Sequence, residues 1–341
     1  MRNALSIGLV RPRDDSVDRS FIDGNWAHII DPERHAGVGP DDDVIPALQF
    51  ENETEALQIP EQVIEVVMRS TAVGPELLRM LEWSLYEILD NVINHSNAAE
   101  GGFVQATPLE EHVEFVVADT GIGIANSLGM RDEVDALREA VKQGVTRDET
   151  SNQGNGLYGS LQVAAISGGE FEIMSGSATL EYPPDTNGDA WFDYDLPFPG
   201  TAVRARIGLA ESGVLQRTLR FGGVDHDPVY GYVERQFETD EGELVFNVKE
   251  RAARDVRTRG GGQRVRQQLE NLLQSAETIT VDFEGVEVIS SSFADEVFGR
   301  LFVSLGPRTF TKRVILTNVN EDIDGLIDFA IDQRWRTATG S

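Results

Sequence analysis

The sequence predicts an α/β protein in two parts: a larger mixed sheet with helices on one face, then a smaller α/β layer unit. Three observations carry this. Apolar residues between Pro60 and Asn94 recur at spacings of three and four, the mark of amphipathic helices. Runs rich in β-branched residues follow, bounded by Gly and Pro. Beyond Gly213 the composition shifts through "RFGGVDHDPVYGY", and strand and helix patterns then alternate. The boundaries that follow are an irregular N-terminal extension over 1–48, a first domain over 49–210, a linker over 211–238 and a second domain over 239–341.

In the extension only "SFIDGNWAHIID" suggests an element, a short strand or turn. Val63, Ile64, Val67 and Met68, then Leu77, Leu78, Leu81, Leu85, Ile88, Leu89 and Val92, give two helices. They break at "TAVGPE", where Gly74 suits the end of one and Pro75 the first turn of the next. The stretch "GFVQATPLEEHVEFVVADTG" reads as two strands joined by a turn at Pro108, the second ending on Asp119. A helix from about Asp132 to Gln143, the polar loop "GVTRDETSNQG" and the helix "GLYGSLQVAAISG" come next. Strands around "GEFEIMSG", "ATLEY" and "GTAVRARIGL" close the first domain. The second reads as strand "GELVFNVKE", Arg-rich turn "RAARDVRTRGGGQ", helix "RVRQQLENLLQSA", strand "TITVDFEGV", helix "SFADEVFGRLFVSLG", strand "RVILTNV" and helix "EDIDGLIDFAIDQRW".

Composition removes several function classes. Cysteine is absent, which excludes disulfides, thiolate nucleophiles and cysteine-ligated zinc. The five histidines, His28, His35, His95, His112 and His226, form no ligand pair. A formal charge of -29 repels nucleic acid except at a local patch. The one dense basic cluster is Arg251, Arg254, Arg257, Arg259, Arg264 and Arg266, read either as a solvated face or as an anion site. No run of about 18 apolar residues exists and the N-terminal apolar stretch is too short for a signal peptide, so a cytoplasmic protein without a membrane span is expected. The sequence leaves a homodimer open.

Three short motifs bear chemistry. Glu87 and Asn91 stand four apart on the second helix, hence one turn apart on one face. There an amide oxygen suits magnesium and a carboxylate can orient or deprotonate a water, although a polar stripe on an exposed helix looks the same. Asp119-Thr120-Gly121-Ile122-Gly123 ends a strand; its glycines permit close backbone approach to a flat ring, and its Asp can accept from the exocyclic amine of adenine. Gly154-Asn155-Gly156-Leu157 opens a helix, where free amides and the dipole favour phosphate.

In this order and spacing the three resemble the nucleotide-binding boxes of the GHKL superfamily, which includes gyrase-type and chaperone ATPases, mismatch-repair proteins, histidine kinases and anti-sigma-factor kinases. The resemblance covers roughly residues 50 to 208 and implies a Bergerat α/β sandwich that binds ATP and magnesium. It makes Glu87 the general base, Asn91 the magnesium ligand and Asp119 the adenine reader. Gly121 and Gly123 would line the base, Gly154, Asn155, Gly156 and Leu157 the phosphates, and Thr201 would support Asp119. Residues 127–153 would form an ATP lid. His95 matches an anti-sigma-kinase pattern, and Asp90 gyrase-type sequences; a core-facing histidine and a solvated acid explain both equally well.

The second domain resembles the STAS fold of anti-sigma-factor antagonists, and more closely the STAS-like domains of unknown function fused to such ATPases. Ser290-Ser291-Ser292 occupies the turn that carries the antagonists' phosphorylated serine, with Ser290 and Phe293 replacing their Asp and Gly. That makes Ser291 a candidate phosphoacceptor, while an N-cap for the helix that follows is the plainer account. The resemblances imply an ATPase switch whose STAS-like domain recruits a protein partner, with a serine kinase and a non-hydrolysing ATP sensor as alternatives.

Overall fold

The computed structural model describes residues 23–30, 34–37, 45–144, 156–185, 188–192, 197–209, 220–221, 224–225, 231–252 and 255–339. Its contacts divide the chain into two units: Met1–Val67 with Glu76–Tyr230, and Met68–Pro75 with Gly231–Ser341.

The first unit is built on a seven-stranded sheet of order β1-β2-β3-β7-β4-β5-β6. Its strands are β1 (Ile45–Phe50), β2 (Gly102–Pro108), β3 (His112–Asp119), β4 (Glu170–Gly176), β5 (Ala178–Asp185), β6 (Gly188–Phe192) and β7 (Phe198–Gly208). Every pairing in it is antiparallel, so the mixed sheet expected from sequence is replaced by an antiparallel one. The two-residue period sets what each face does. On β3, Val113, Phe115, Val117 and Asp119 are buried. On the opposite face, Arg204 and Arg206 of β7 alternate with Glu114 of β3 and Glu170 and Glu172 of β4 in an ion-pair ladder. Arg204 grips Glu114 through two hydrogen bonds of 3.2 and 3.1 Å, which holds that carboxyl below its usual range. Such half-exposed pairs add modest stability but make this face polar.

Helix α1 (Trp26–Ile30) replaces the short strand or turn expected there. Its Trp26 Nε1 donates to Gln105 at 2.8 Å and its ring lies 6.5 Å from Phe103, on the face of β2 that alternates with the Val104 and Ala106 core side. This short helix therefore lies against the β2 part of the ladder face. Gly24 accepts from Ala47 at 2.8 Å, which ties this segment to β1.

The core face is covered by longer helices, α2 (Glu53–Ser70) and α3 (Pro75–His95) among them. The sequence places the start of α2 near Pro60, yet the helix begins about two turns earlier, at Glu53, because Asn52 Oδ1 accepts from Glu55 N while the Glu55 carboxylate accepts from Glu51 N. Two satisfied donors at the helix start outweigh the hydrogen bond that Pro60 removes. The next three helices are α4 (Gly123–Leu128), α5 (Glu133–Ala140) and α6 (Gly156–Ile166). α5 lies inside the segment expected to form a flexible lid, but Val134, Ala136 and Leu137 are buried and Glu133 accepts from Ser177 N at 2.9 Å.

The second unit has a three-stranded parallel sheet, β10 (Leu244–Asn247), β11 (Ile279–Asp282) and β12 (Val314–Thr317), in that order. A two-stranded ribbon of the first unit, β8 (Arg220–Phe221) with β9 (Val224–Asp225), precedes it in the chain. The helices of the second unit are α7 (Tyr232–Phe237), α8 (Val248–Ala252), α9 (Arg259–Ser275), α10 (Ser291–Ala294) continued by a π turn (Asp295–Gly299) into α11 (Arg300–Leu305), α12 (Pro307–Arg313) and α13 (Glu321–Thr339). α7 forms where a linker is expected, because its Phe237 ring stacks on Phe246 of β10 at 6.1 Å. α9 starts inside the expected Arg-rich turn: Thr258 caps it by accepting from Gly261 N, and the glycines admit close neighbours. A Cβ on Gly262 would stand 2.9 Å from that of Glu296. Asn271 of α9, 1% exposed, accepts from Val73 N and donates to the carbonyls of Met68 and Thr71. Those three bonds tie Met68–Pro75 to this unit.

Candidate functional site

Helix α3 is nucleated by Pro75 and held by the apolar face from Leu77 to Val92, leaving Glu87 and Asn91 half-buried on one turn. Both meet the first residue of α6. A Cβ placed on Gly156 would lie 2.6 Å from the Glu87 carboxylate and 3.5 Å from the Asn91 amide, so a larger residue there would push the carboxylate aside, whereas glycine lets the α6 N-terminus approach this pair as it stands. Burial raises the Glu87 carboxyl from 4.5 to about 7, the Asp90 charge adds to the rise, and a hydrogen bond from Trp83 opposes it. A carboxyl poised there exchanges a proton readily near neutral pH. Asp90 itself accepts from Asn94 at 2.7 Å along the helix.

The second cluster forms where β3 ends. Asp119 is 4% exposed, its Oδ1 accepts from Gly121 N at 2.7 Å, and in register it faces Thr201 of β7. Burial pushes its carboxyl up, while the backbone of Gly121 and Thr201 pulls it down. Gly121 and Gly200 are required by space: a Cβ would stand 2.0 Å from Ser96 O in the first case and 2.2 Å from Asp119 O in the second. Gly123 takes φ +76°, a conformation suited to glycine. The clusters are joined by the chain itself, because Ser96, one residue beyond α3, accepts from Ile122 N at 2.7 Å.

The structure thus gathers Glu87, Asn91 and Gly156 in one group and Asp119, Gly121, Gly123 and Thr201 in another, with Leu157 half-buried in the first turn of α6. Gly154 and Asn155, and with them the later part of the expected lid, lie outside the described residues. Three participants were not read from sequence: Trp83, Ser96 and Gly200. None has a motif of its own: Trp83 stands one helical turn before Glu87, and the others are placed by strand register or loop closure.

Within the second unit Arg259, Arg264 and Arg266 of the Arg251 to Arg266 cluster pair with carboxylates. Arg251 lies 4.7 Å over the Phe237 ring and donates to Gln236, Arg264 pairs with Asp255, and Arg266 holds both Glu270 oxygens at 3.0 Å. Arg259 and Arg266 lie 3.6 Å from the fully buried Glu296, which Arg300 approaches to 2.9 Å. Arg257 is exposed, and Arg254 lies outside the described residues. Arg259, Arg264 and Arg266 balance Glu296, Asp255 and Glu270, which removes their share of the charge an anion site would need. In the serine run, Ser290 caps α10 by accepting from Phe293 N at 3.1 Å, and Ser291 is exposed.

The large antiparallel sheet with long helices on its core face gives the first unit the architecture of a Bergerat-type domain. Residues 78–207 match the family described as histidine kinase-, DNA gyrase B-, and HSP90-like ATPase, and residues 261–324 match a STAS-like domain of unknown function. The chain is therefore a GHKL-family ATP-binding domain joined to a STAS-like domain. No curated protein and no solved structure matches it. Among the described residues no helix is long and apolar enough to cross a membrane, and no group of three acidic or imidazole side chains is placed to hold a metal ion.

Proposed function

We propose that the first domain binds Mg-ATP, hydrolyses it slowly, and drives a regulatory switch read out by the STAS-like domain and a protein partner. The carrying observation is the approach of α6 to α3, with Gly156 against Glu87 and Asn91. In this reading the α6 N-terminus receives the phosphates, Asp119 accepts from the adenine amine, and Glu87 takes a proton from the attacking water. Magnesium fits the donor set, since it is usually held by one or two protein oxygens together with substrate phosphates and water, and the Asn91 amide oxygen offers such a ligand. When bound it would neutralise charge on the phosphates. Glu87 contributes proton transfer and Gly156 the space for approach.

Incubating the full chain with γ-labelled ATP and magnesium tests this. Free labelled phosphate, lost in Glu87→Gln while nucleotide is still bound, supports hydrolysis. Binding without release in the wild type favours a non-hydrolysing sensor. One observation keeps a serine-kinase reading in play: Ser290 is used as the cap, which leaves the Ser291 hydroxyl exposed in the first turn of a helix, where added negative charge is favoured. Label retained on Ser291 or on a partner supports that reading instead.

A further inference from the structure

Ser175 is not part of any motif, yet it completes a row across three strands. Asp119 of β3 faces Thr201 of β7, and Thr201 faces Ser175 of β4. All three lie at the end of the sheet's buried face, one step beyond the apolar row of Val117, Val203 and Ile173. Ser175 is 4% exposed, so its hydroxyl must find its partners within the protein.

Counting those partners settles the direction of each bond. A hydroxyl has one proton and two acceptor positions. The proton goes to the Gly200 carbonyl at 2.9 Å, since a carbonyl can only accept. One acceptor position takes Ile124 N–H at 2.9 Å. That amide belongs to the first turn of α4, where Ile122 stands at the cap position without a capping side chain, so Ser175 supplies from a neighbouring strand what the cap residue lacks. The second acceptor position faces Thr201 Oγ1 at 3.3 Å. With the Ser175 proton committed to Gly200, Thr201 must be the donor in this contact, which leaves its oxygen able only to accept from other groups.

We infer that Ser175 is a specificity-determining positioning residue: it turns the Thr201 hydroxyl so that Thr201 and Asp119 present acceptors side by side, selecting a purine that offers an amino group there over one that offers a carbonyl. Resting on the ATP-binding reading above, this adds the origin of the base preference. It also fixes the loop, because the hydroxyl that orients Thr201 is the one that anchors Ile124, and a Cβ on Gly123 would stand 3.0 Å from it. Removing it frees Thr201 to donate toward a carbonyl and releases the Ile124 amide together.

Calorimetric titration of the full chain with Mg-ADP and with Mg-GDP tests this in the wild type, Ser175→Ala, Ser175→Cys and Ser175→Thr. The wild type prefers ADP. Ser175→Ala and Ser175→Cys narrow the ADP to GDP ratio about ten-fold, the worth of one hydrogen bond whose partner is left buried, while Ser175→Thr, which keeps the hydroxyl, holds the ratio within about three-fold. Amide hydrogen exchange gives a ligand-free readout: Ile124 exchanges faster in Ser175→Ala, and Val117 in the neighbouring core row does not. A wild type that binds neither nucleotide overturns the ATP reading and the inference with it. A wild type that prefers ADP, with the same ratio in Ser175→Ala and Ser175→Cys, overturns the role of Ser175 alone. Equal losses in all three variants reduce Ser175 to a packing residue and overturn it as well.

Discussion

Glu87 links the chemistry of the site to the stability of the fold, and the link can be measured without nucleotide. Burial, assisted by the Asp90 charge, lifts its carboxyl from 4.5 to about 7, so the fold favours the protonated form. Well below pH 4.5 folded and unfolded chains both hold the proton, and Glu87 makes no pH-dependent difference. Between 4.5 and 7 the unfolded chain releases a proton that the folded chain retains, so stability falls as pH rises; above about 7 both are ionised and the penalty is complete. At about 1.4 kcal/mol per pH unit of separation, the full penalty is on the order of 3 kcal/mol. Glu87→Gln keeps the shape and removes the charge. It should be more stable than the wild type by about 3 kcal/mol at pH 8 but by less than about 1 kcal/mol at pH 5. An isoelectric point near 4.4 makes pH 5 a practical lower limit. Urea unfolding followed by intrinsic fluorescence reads the difference, helped by Trp83 one turn from the substitution. The same stability gain at both pH values would refute the reasoning, since a change in packing alone carries no proton. In the wild type, turnover should rise with pH toward a plateau just above 7, as the base form of Glu87 accumulates.

Three further outcomes follow from particular contacts. Gly200→Ala, with φ +111° and a Cβ driven to 2.2 Å from Asp119 O, should cut ADP affinity more than a hundred-fold; Gly168→Ala, with φ +71° but no atom within 4 Å, should leave affinity unchanged and cost about 1 kcal/mol in a melt. In the STAS-like unit, Glu296→Ala leaves three arginines without their buried partner and should cost about 3–5 kcal/mol by urea unfolding. Breaking the exposed Arg336–Asp332 pair by Arg336→Ala should cost under about 0.5 kcal/mol. Ser290→Ala should lose about 1 kcal/mol through the cap, whereas Ser291→Ala should change the same midpoint little.

Local signals made most of the first unit legible. Helix α3, the strand ending on Asp119 and the glycine-led start of α6 each follow from periodicity or from a residue with one dominant conformational use, and together they contain Glu87, Asn91, Asp119, Gly156 and Leu157 of the residues expected to touch nucleotide. Errors arose where a local signal was outvoted from elsewhere in the chain. Pro60 marks a helix start by its own chemistry, but the Asn52 and Glu55 pair moves the start upstream. Gly260 to Gly262 mark a turn until Thr258 caps them and Glu296 presses against them. Strand β6 is short and edge-lying, with a Gly-Asp start that carries no strand signal.

The supports of the site were illegible for a different reason. Ser175 and Asp119 are far apart in sequence and meet only through β7, so their relation depends on the register of two strand pairings. A shift of one residue in either pairing would turn one side chain of the row to the ladder face. The ladder opposes that shift: Glu114, Arg204, Arg206, Glu170 and Glu172 lie on the same three strands, and a slip would carry their charges into the apolar core. Charge on one face of the sheet thus holds the register that aligns Asp119, Thr201 and Ser175 on the other. The ion pairs weigh little as contacts, yet they help determine whether the three hydroxyl and carboxyl groups meet at all.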